Sequence, residues 1–572
     1  MTEVNLNWGV QIPLRDGIRL SATLYLPANG STPAPTLFSL TPYTAHRNHA
    51  RAMYFASHDF PFLIVDVRGR GNSEGVFQPF IQEAQDGHDV VQWIAQQSFC
   101  NGRVAMFSGS YEGYAQWATA KEFPPNLATI VPGMAAAPGL DFPMRNNVPH
   151  SYIVQWLLFT AGRTSQDRIF EDAPFWREKF RGWFESGRPF SELDSWIGSP
   201  SEIFQEWLNH PESDSYWDSF RPSAAEFSQI NLPVLTLTGA YDGDQPGALY
   251  YYREHTRLST IARENHFLII GPWDHAGVLA PKSEVAGLKL GAASMLDILE
   301  LHRQWYEWTL REGPRPAFLQ KQVAYYVTGA EKWRYAESLD AITTRVEPLY
   351  LSSPGTASCI FGSGFLRACR GGGTFDSYTY DPKDTNGSRM EALATDLPCL
   401  RPTFPTDNLA SQASVYSNDG KQLVYHSEPF QRDREISGFF RLVTWISIDQ
   451  PDTDFRVAVY EIRDDGGSVL LTADLLRARY REGLRESKPV DTTVPLCYSF
   501  ELFTFVSREL AKGSRLRLVI GPVNSIFSQK NYNSGGIVAQ ETIADACIVN
   551  VKLFHDELHP SVLFVPFGLE ER

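Results

Sequence analysis

The sequence predicts an α/β domain built on a mostly parallel sheet, interrupted by a helical insertion and followed by an all-β sandwich or jelly roll. Three observations carry this. Short apolar runs alternate with helix-like stretches over the first two thirds, one aromatic-rich helical segment breaks that rhythm, and helical text nearly stops after about residue 345. At 572 residues the chain also exceeds what one hydrophobic core organises.

Residues 9–27 alternate apolar and polar around Asp16-Gly17, a turn dipeptide, and read as an antiparallel hairpin. The runs PTLFSL (35–40), FPFLIVD (60–66), RVAMF (103–107), LPVLTLTG (232–239) and HFLIIG (266–271) suit strands buried on both faces. Between about 141 and 225 the text is helical and holds Trp156, Phe159, Phe170, Phe175, Trp176, Trp183 and Trp196. It reads as an inserted cap whose aromatics mostly pack the cap onto the main domain. GFFRLVTWISI (438–448), FRVAVYEI (455–462) and SRLRLVIG (514–521) read as strands between turn-rich stretches, as a jelly roll requires. The expected division is 1–140 and 226–345 for the α/β domain, 141–225 for the cap and 346–572 for the β domain.

Composition narrows the function. Hydrophobic residues at 43% and aromatics at 13% exclude large-scale disorder, and a formal charge of -15 argues against nucleic acid as the main partner. No apolar run reaches the eighteen or so residues of a membrane helix, so no membrane partner is expected. The N-terminal text lacks the basic and apolar regions of a signal peptide, which points to the cytoplasm. Cys100, Cys359, Cys369, Cys399, Cys497 and Cys547 form no Cys-x-x-Cys pair, so no metal and no cofactor is expected. They read as buried free thiols of a reducing compartment; Cys359 and Cys369 would pair only in an exported protein.

Chemistry centres on RVAMFSGSYEGYAQWATA, where an apolar strand runs into Ser108-Gly109-Ser110-Tyr111-Glu112-Gly113 and helix-forming residues follow. This is the setting of a nucleophile elbow, which exposes a serine hydroxyl at the top of a sheet. Ser108 stands where the G-x-S-x-G pattern has its first glycine. An acid and a histidine should follow in that order, each just past a strand. LPVLTLTG runs into Asp242 and Asp244, and HFLIIG runs into Asp274 and His275. Of 13 histidines, His275 is the one so placed; His266 and His302 read as structural. Asp242, nearest its strand end, is preferred over Asp244 and Asp274 as the acid. The Tyr111 amide is one oxyanion donor. Tyr43, after PTLFSL, is either a second donor or a packed loop tyrosine.

Ten segments then carry a resemblance: PLRDGIRLSATLYLP (13–27), TPY (41–43), DVRGRGNSEG (66–75), CNGRVAMFSGSYEG (100–113), HPESDSYW (210–217), AYDG (240–243), GPWDH (271–275), YYVTGAEKW (325–333), PDTDF (451–455) and LRARYRE (476–482). The chain resembles the serine hydrolase family of cocaine esterase, X-Pro dipeptidyl-peptidase and the α-amino acid ester hydrolases. The resemblance implies an α/β-hydrolase domain, a helical cap and a C-terminal jelly roll. It places nucleophile, acid and base on Ser110, Asp242 and His275, makes Tyr43 an oxyanion donor beside the Tyr111 amide, and implies a homo-oligomer. The Asp66–Gly75 segment, with Arg68, reads as structural, since no G-K-[ST] follows it. SYEG and QKNYNSGG (529–536) are similar to the α-amino acid ester hydrolases, which hold a substrate ammonium with carboxylates. Asp244 matches one of those positions, Gln245 replaces another acid, and Asp141 is a candidate for a second charge.

The leading expectation is therefore an esterase or amidase for small acyl compounds, with α-amino esters and β-lactam-type compounds in view. An X-Pro dipeptidyl-peptidase, disfavoured by chain length, or an acyltransferase stands second. A non-catalytic jelly roll binding a ligand or glycan is the alternative of another class, and the Ser-Asp-His set argues against it.

Overall fold

The computed structural model describes residues 3–28, 32–393 and 409–569. Strands β1 (Val4–Pro13) and β2 (Arg19–Pro27) form the expected hairpin. There follow β3 (Ala34–Thr41), helix α1 (His49–Ser57), β4 (Phe62–Asp66), α2 (Glu83–Ala95), β5 (Cys100–Gly109), α3 (Tyr111–Ala120) and β6 (Leu127–Gly133). A small hairpin, β7 (Met144–Arg145) and β8 (Val148–Pro149), leads into α4 (Tyr152–Phe159), the first of a run of helices that continues to Gln229. The sheet resumes with β9 (Val234–Tyr241) and β10 (His266–Asp274). After a two-residue hairpin, β11 (Glu284–Val285) and β12 (Leu288–Lys289), it ends in β13 (Val323–Val327) and β14 (Lys332–Ala336).

The ten strands lie in the order β1-β2-β4-β3-β5-β6-β9-β10-β13-β14, parallel from β4 to β13. Every residue of β4 and β9 is buried, because helices cover both faces. The sequence reading did not find β6, β13 and β14. In β6 the apolar run is broken by Thr129, whose hydroxyl donates to the Pro233 carbonyl at 2.8 Å and so tolerates burial. Parallel strands put the loops after β3, β5, β9 and β10 on one edge, where α/β sheets build their sites.

The cap aromatics are largely buried: Trp176, Trp183 and Trp217 lie in a cluster shared with Phe80, Tyr111 and Tyr114 of the α/β domain. From Arg345 onward the described residues form a thirteen-stranded, largely antiparallel sheet that encloses its own apolar core. Residues 438–448 are not one strand. The chain pairs as Arg434–Gly438 and Arg441–Ile448, separated where Gly438 adopts φ 136°.

The β domain is pinned to the α/β domain by the turn of the β7–β8 hairpin. Asn146 and Asn147 take left-handed φ, which asparagine tolerates. The Asn146 amide donates to Asp474 at 2.8 Å and the Leu475 carbonyl at 2.6 Å, and Arg145 donates to the Leu502 carbonyl at 2.5 Å. Below them Arg477 makes a fork with Asp454 at 2.8 and 2.9 Å and reaches the Asn147 carbonyl. Arg479 pairs with Asp452 at 2.7 Å, and Asn531 donates to both aspartates. PDTDF, LRARYRE and QKNYNSGG are thus three sides of one buried polar network.

No helix among the described residues is long and apolar enough to cross a membrane. The thiols correct one expectation: Cys100 is buried, but Cys369 and Cys497 are exposed and Cys359 and Cys547 half-buried, all of them free. They stand on β-domain loops and an outer strand that face water. Cys399 lies outside the described residues.

Two fully buried histidines link β10 to the helix Gln245–Leu258. His255 and His266 face each other through Nδ1 at 3.1 Å, while His255 Nε2 meets the Ile230 carbonyl and His266 Nε2 the Thr236 hydroxyl. One proton per ring completes this chain. Burial holds both imidazoles below their usual 6.5, His255 at about 4. The unfolded chain therefore binds more protons below 6.5, and folding stability falls as pH drops from there toward 4. The slope is about 1.4 kcal/mol per histidine per pH unit at its steepest. Urea midpoints at pH 6.5 and 5 check this: His255→Asn with His266→Asn should lose less stability than the parent across that interval. Equal losses would show that the pair does not titrate on unfolding.

Candidate active site

Ser110 sits between β5 and α3 with φ 61° and ψ −127°, a strained conformation for a residue with a Cβ. Close packing against the end of β6 maintains it. A Cβ on Gly109 would lie 2.6 Å, and one on Gly113 2.8 Å, from the Gly133 carbonyl oxygen. The Ser110 amide donates to that carbonyl at 2.9 Å and to Met134 at 3.1 Å. Ser108 fills its non-glycine position at φ 112° by donating its hydroxyl to Glu112, which also accepts from Asn48 at 2.7 Å. Burial raises the Glu112 carboxyl above its ordinary value, against the pull of the Ser108 and Thr41 hydrogen bonds and the Arg51 charge. By sequence Ser108 is only the departure from the glycine pattern; the structure gives it a specific partner.

The acid and the histidine meet at the same edge. His275 Nδ1 lies 2.8 Å from Asp242 Oδ1 and 3.7 Å from an Asp244 oxygen. Asp242 is fully buried and held by the Thr238 hydroxyl at 3.1 Å and the Asp244 amide at 3.0 Å. Asp274 instead accepts from the Gly277 amide within its own turn. Burial acts to lower the His275 pKa. The charge and hydrogen bond of Asp242, with the charges of Asp274 and Asp141, outweigh it, so the imidazole stands above its usual value. Thr238, not singled out in the sequence, is the orienting partner of the acid; its signal was its place in the strand four residues before Asp242.

The two candidate oxyanion donors share a neighbour. The Tyr111 amide belongs to the first turn of α3, where no helical carbonyl reaches it. The Tyr111 side chain is committed elsewhere, donating to Glu83 and accepting from the Phe80 amide at 3.0 Å. The Tyr43 ring stacks on Phe159 of α4, centroids 5.2 Å apart, and its hydroxyl oxygen accepts from the Trp156 indole at 3.1 Å. Trp156 also stacks on the Tyr111 ring at 5.5 Å. That single cap tryptophan touches both donor residues was invisible among so many cap aromatics.

The remaining candidates differ in what their side chains do. Asp244 is fully buried beside the imidazole. The Asp141 oxygens accept from the Ala137 amide at 2.8 Å and the Gly247 amide at 2.7 Å, tying the cap entrance to the first turn of the helix after Asp244. Gln245 donates to the carbonyls of Gly239, Ala240 and Phe505 and accepts from the Phe505 amide at 2.6 Å. It is a brace between the Asp242 loop and the β domain. Arg68 is a structural cation, as read, paired with Asp86 at 2.7 Å and Asp16 at 2.6 Å.

Comparison with known proteins shows the family. Residues 16–277 match the X-Pro dipeptidyl-peptidase (S15 family), and residues 318–534 match the X-Pro dipeptidyl-peptidase C-terminal non-catalytic domain. The chain is 25% identical to cocaine esterase of Rhodococcus sp. over 97% of both chains. Its fold is similar to that of an α-amino acid ester hydrolase, with TM-score 0.84 and 18% identity, covering 99% of this chain and 97% of the other. An aminopeptidase from a marine sediment archaeon, Thaumarchaeota archaeon, superposes with TM-score 0.83 at 18% identity, with the same coverage. The chain is thus a serine hydrolase belonging to the family of X-Pro dipeptidyl-peptidases, cocaine esterase and α-amino acid ester hydrolases.

Proposed function

We propose that this hydrolase cleaves ester or amide bonds of small acyl compounds, with Ser110 as nucleophile, His275 as base and Asp242 as its orienting acid. The observation that carries this is the 2.8 Å His275–Asp242 contact on the sheet edge where the strained turn presents Ser110. Asp242 holds the Nδ1–H tautomer, leaving Nε2 to take the Ser110 proton as Oγ attacks the acyl carbon. The carbonyl oxygen becomes an oxyanion, which the Tyr111 amide and the Tyr43 hydroxyl stabilise. As the tetrahedral intermediate collapses, His275 returns its proton to the leaving alcohol or amine and the acyl group stays on Ser110. Water, deprotonated by His275, then releases the acid and restores the serine. A cytosolic setting is part of this reading, supported by the free thiols.

A fluorophosphonate probe should label wild type and not Ser110→Ala. That variant should keep its fold and lose roughly 10⁴- to 10⁶-fold in turnover. A tenth of wild-type esterase activity in it would refute the assignment. The pH profile follows from His275. Because its imidazole is held above 6.5 and must be neutral to accept a proton, kcat/KM should rise with pH through a midpoint above that value. Asp242→Asn removes the charge that raises the pKa, so its residual activity should show a lower midpoint; an unchanged midpoint would exclude Asp242 as the partner.

A second reading, that the acyl group carries an α-ammonium, is favoured by the carboxylates gathered around His275, with Asp244 buried at its side and Asp141 within range of its charge. A partly desolvated ammonium–carboxylate bond is worth roughly 1.5–3 kcal/mol, about ten- to hundredfold in kcat/KM. Phenylglycine methyl ester should therefore outperform phenylacetic acid methyl ester, and Asp244→Asn should erase most of the difference. Equal rates for the two esters in wild type would leave a general esterase.

A further inference from the structure

Arg70, in the segment DVRGRGNSEG, is fully buried and uses its guanidinium to join two elements that meet at Tyr43. Its Nε donates to the Pro42 carbonyl at 2.7 Å, the peptide immediately before Tyr43. Its Nη1 donates to the carbonyls of Thr160 at 2.7 Å, Ala161 at 3.1 Å and Gly162, where the cap chain leaves α4. Its Nη2 reaches the Ser165 hydroxyl at 3.4 Å, and that hydroxyl donates to the Tyr43 carbonyl at 2.7 Å. The backbone is gripped on both sides of Tyr43, and the next residue, Thr44, is held at φ 67°. A non-glycine residue keeps such a φ only where its surroundings impose it.

A guanidinium suits this place. Carbonyls at a helix C-terminus lack helical partners and carry the negative end of the helix dipole, and a planar fork serves several acceptors on different elements at once. Burial disfavours the guanidinium charge, and Asp66, at the end of β4, pulls the other way without cancelling it. A buried arginine that only capped α4 would have no need of Pro42. The Nε bond makes the seating of α4, which also carries the Trp156 and Phe159 contacts to the Tyr43 ring, a condition on where the Tyr43 hydroxyl stands.

We infer that Arg70 is a positioning residue of the oxyanion hole, coupling the placement of the Tyr43 hydroxyl to the docking of cap helix α4. The inference rests on the reading of Tyr43 as oxyanion donor. Such donors act at 2.7–3.1 Å from the developing oxyanion, so a shift well under 1 Å weakens catalysis without altering much of what binds the ester.

The test is a double-mutant cycle of Arg70→Lys with Tyr43→Phe, read as the stopped-flow acylation rate at saturating p-nitrophenyl butyrate and as the half-saturation concentration. Lysine keeps the charge but cannot bridge Pro42 and the Thr160–Gly162 carbonyls. Tyr43→Phe should slow acylation about 10²- to 10³-fold. Arg70→Lys should slow it about ten- to hundredfold and move half-saturation less than about threefold, and in the Tyr43→Phe background it should cost less than about threefold. If the arginine substitution costs the same in both backgrounds, or acts on half-saturation alone, Arg70 serves the fold and the inference fails while the Tyr43 reading stands. If Tyr43→Phe acylates within threefold of wild type, the Tyr43 reading fails and takes the inference with it. Should Arg70→Lys not fold, Ser165→Ala runs through the same cycle with an expected loss of about three- to tenfold that vanishes beside Tyr43→Phe; an additive loss is again fatal.

Discussion

The close approach of the Ser110 turn to the end of β6 is the constraint on which the rest of the site depends. With no Cβ on Gly109 or Gly113, the Gly133 carbonyl comes near enough to take the Ser110 amide, and the strained backbone is held from outside. The contact propagates sideways. The Met134 amide bonds to the Leu237 carbonyl of β9 at 2.6 Å, and just past the end of that strand at Tyr241 the chain turns into Asp242. Gln245 then fastens that turn to Phe505 of the β domain. Ser110, Asp242 and the C-terminal domain are therefore linked by short hydrogen bonds that leave little room for one to move without the others.

The Tyr43 side is built on a different principle. Tyr43 stands on a loop whose shape comes from two cap contacts, a stacked phenylalanine and an indole N–H, and from the fork of Arg70. Burying so many polar groups costs several kcal/mol unless each is hydrogen-bonded, and here carbonyls at the end of α4 are met by the guanidinium. Burial still draws Arg70 down to about 10 and pushes Asp66 up to about 7, a measure of how little water reaches them. The Ser110 turn is thus held by its own sheet, whereas the Tyr43 loop is held largely by the cap.

The segments that made the family resemblance specific divide the same way. SYEG and GPWDH hold Ser110 and His275, but PDTDF and LRARYRE meet in buried ion pairs to which QKNYNSGG adds the Asn531 amide. Buried pairs of this kind contribute little net stability yet are strongly destabilising to break, because one partner is left charged in an apolar surrounding. Their use here is registration: they place the β7–β8 hairpin, and with it the start of α4, against the β domain.

Much of the fold was legible in the sequence, because strands buried on both faces must be continuously apolar and half-buried strands must alternate. The hairpin at Asp16-Gly17, five core strands and the order Ser110, Asp242, His275 follow from that periodicity and from each residue's place just past a strand. Strands diluted by threonine, as in β6, and the break at Gly438 escaped it, since a hydrogen bond to a distant chain segment or a single φ leaves no periodic mark. The sequence by itself determined the layers, the parallel edge and the residue types that gather there. Only the tertiary structure decided that Asp242 rather than Asp274 faces the imidazole, that Gln245 is a brace, and that Tyr43 is held by Trp156 and Arg70. Those are pairings between loops separated by tens to hundreds of residues, and their geometry exists only once the sheet and the cap have packed together.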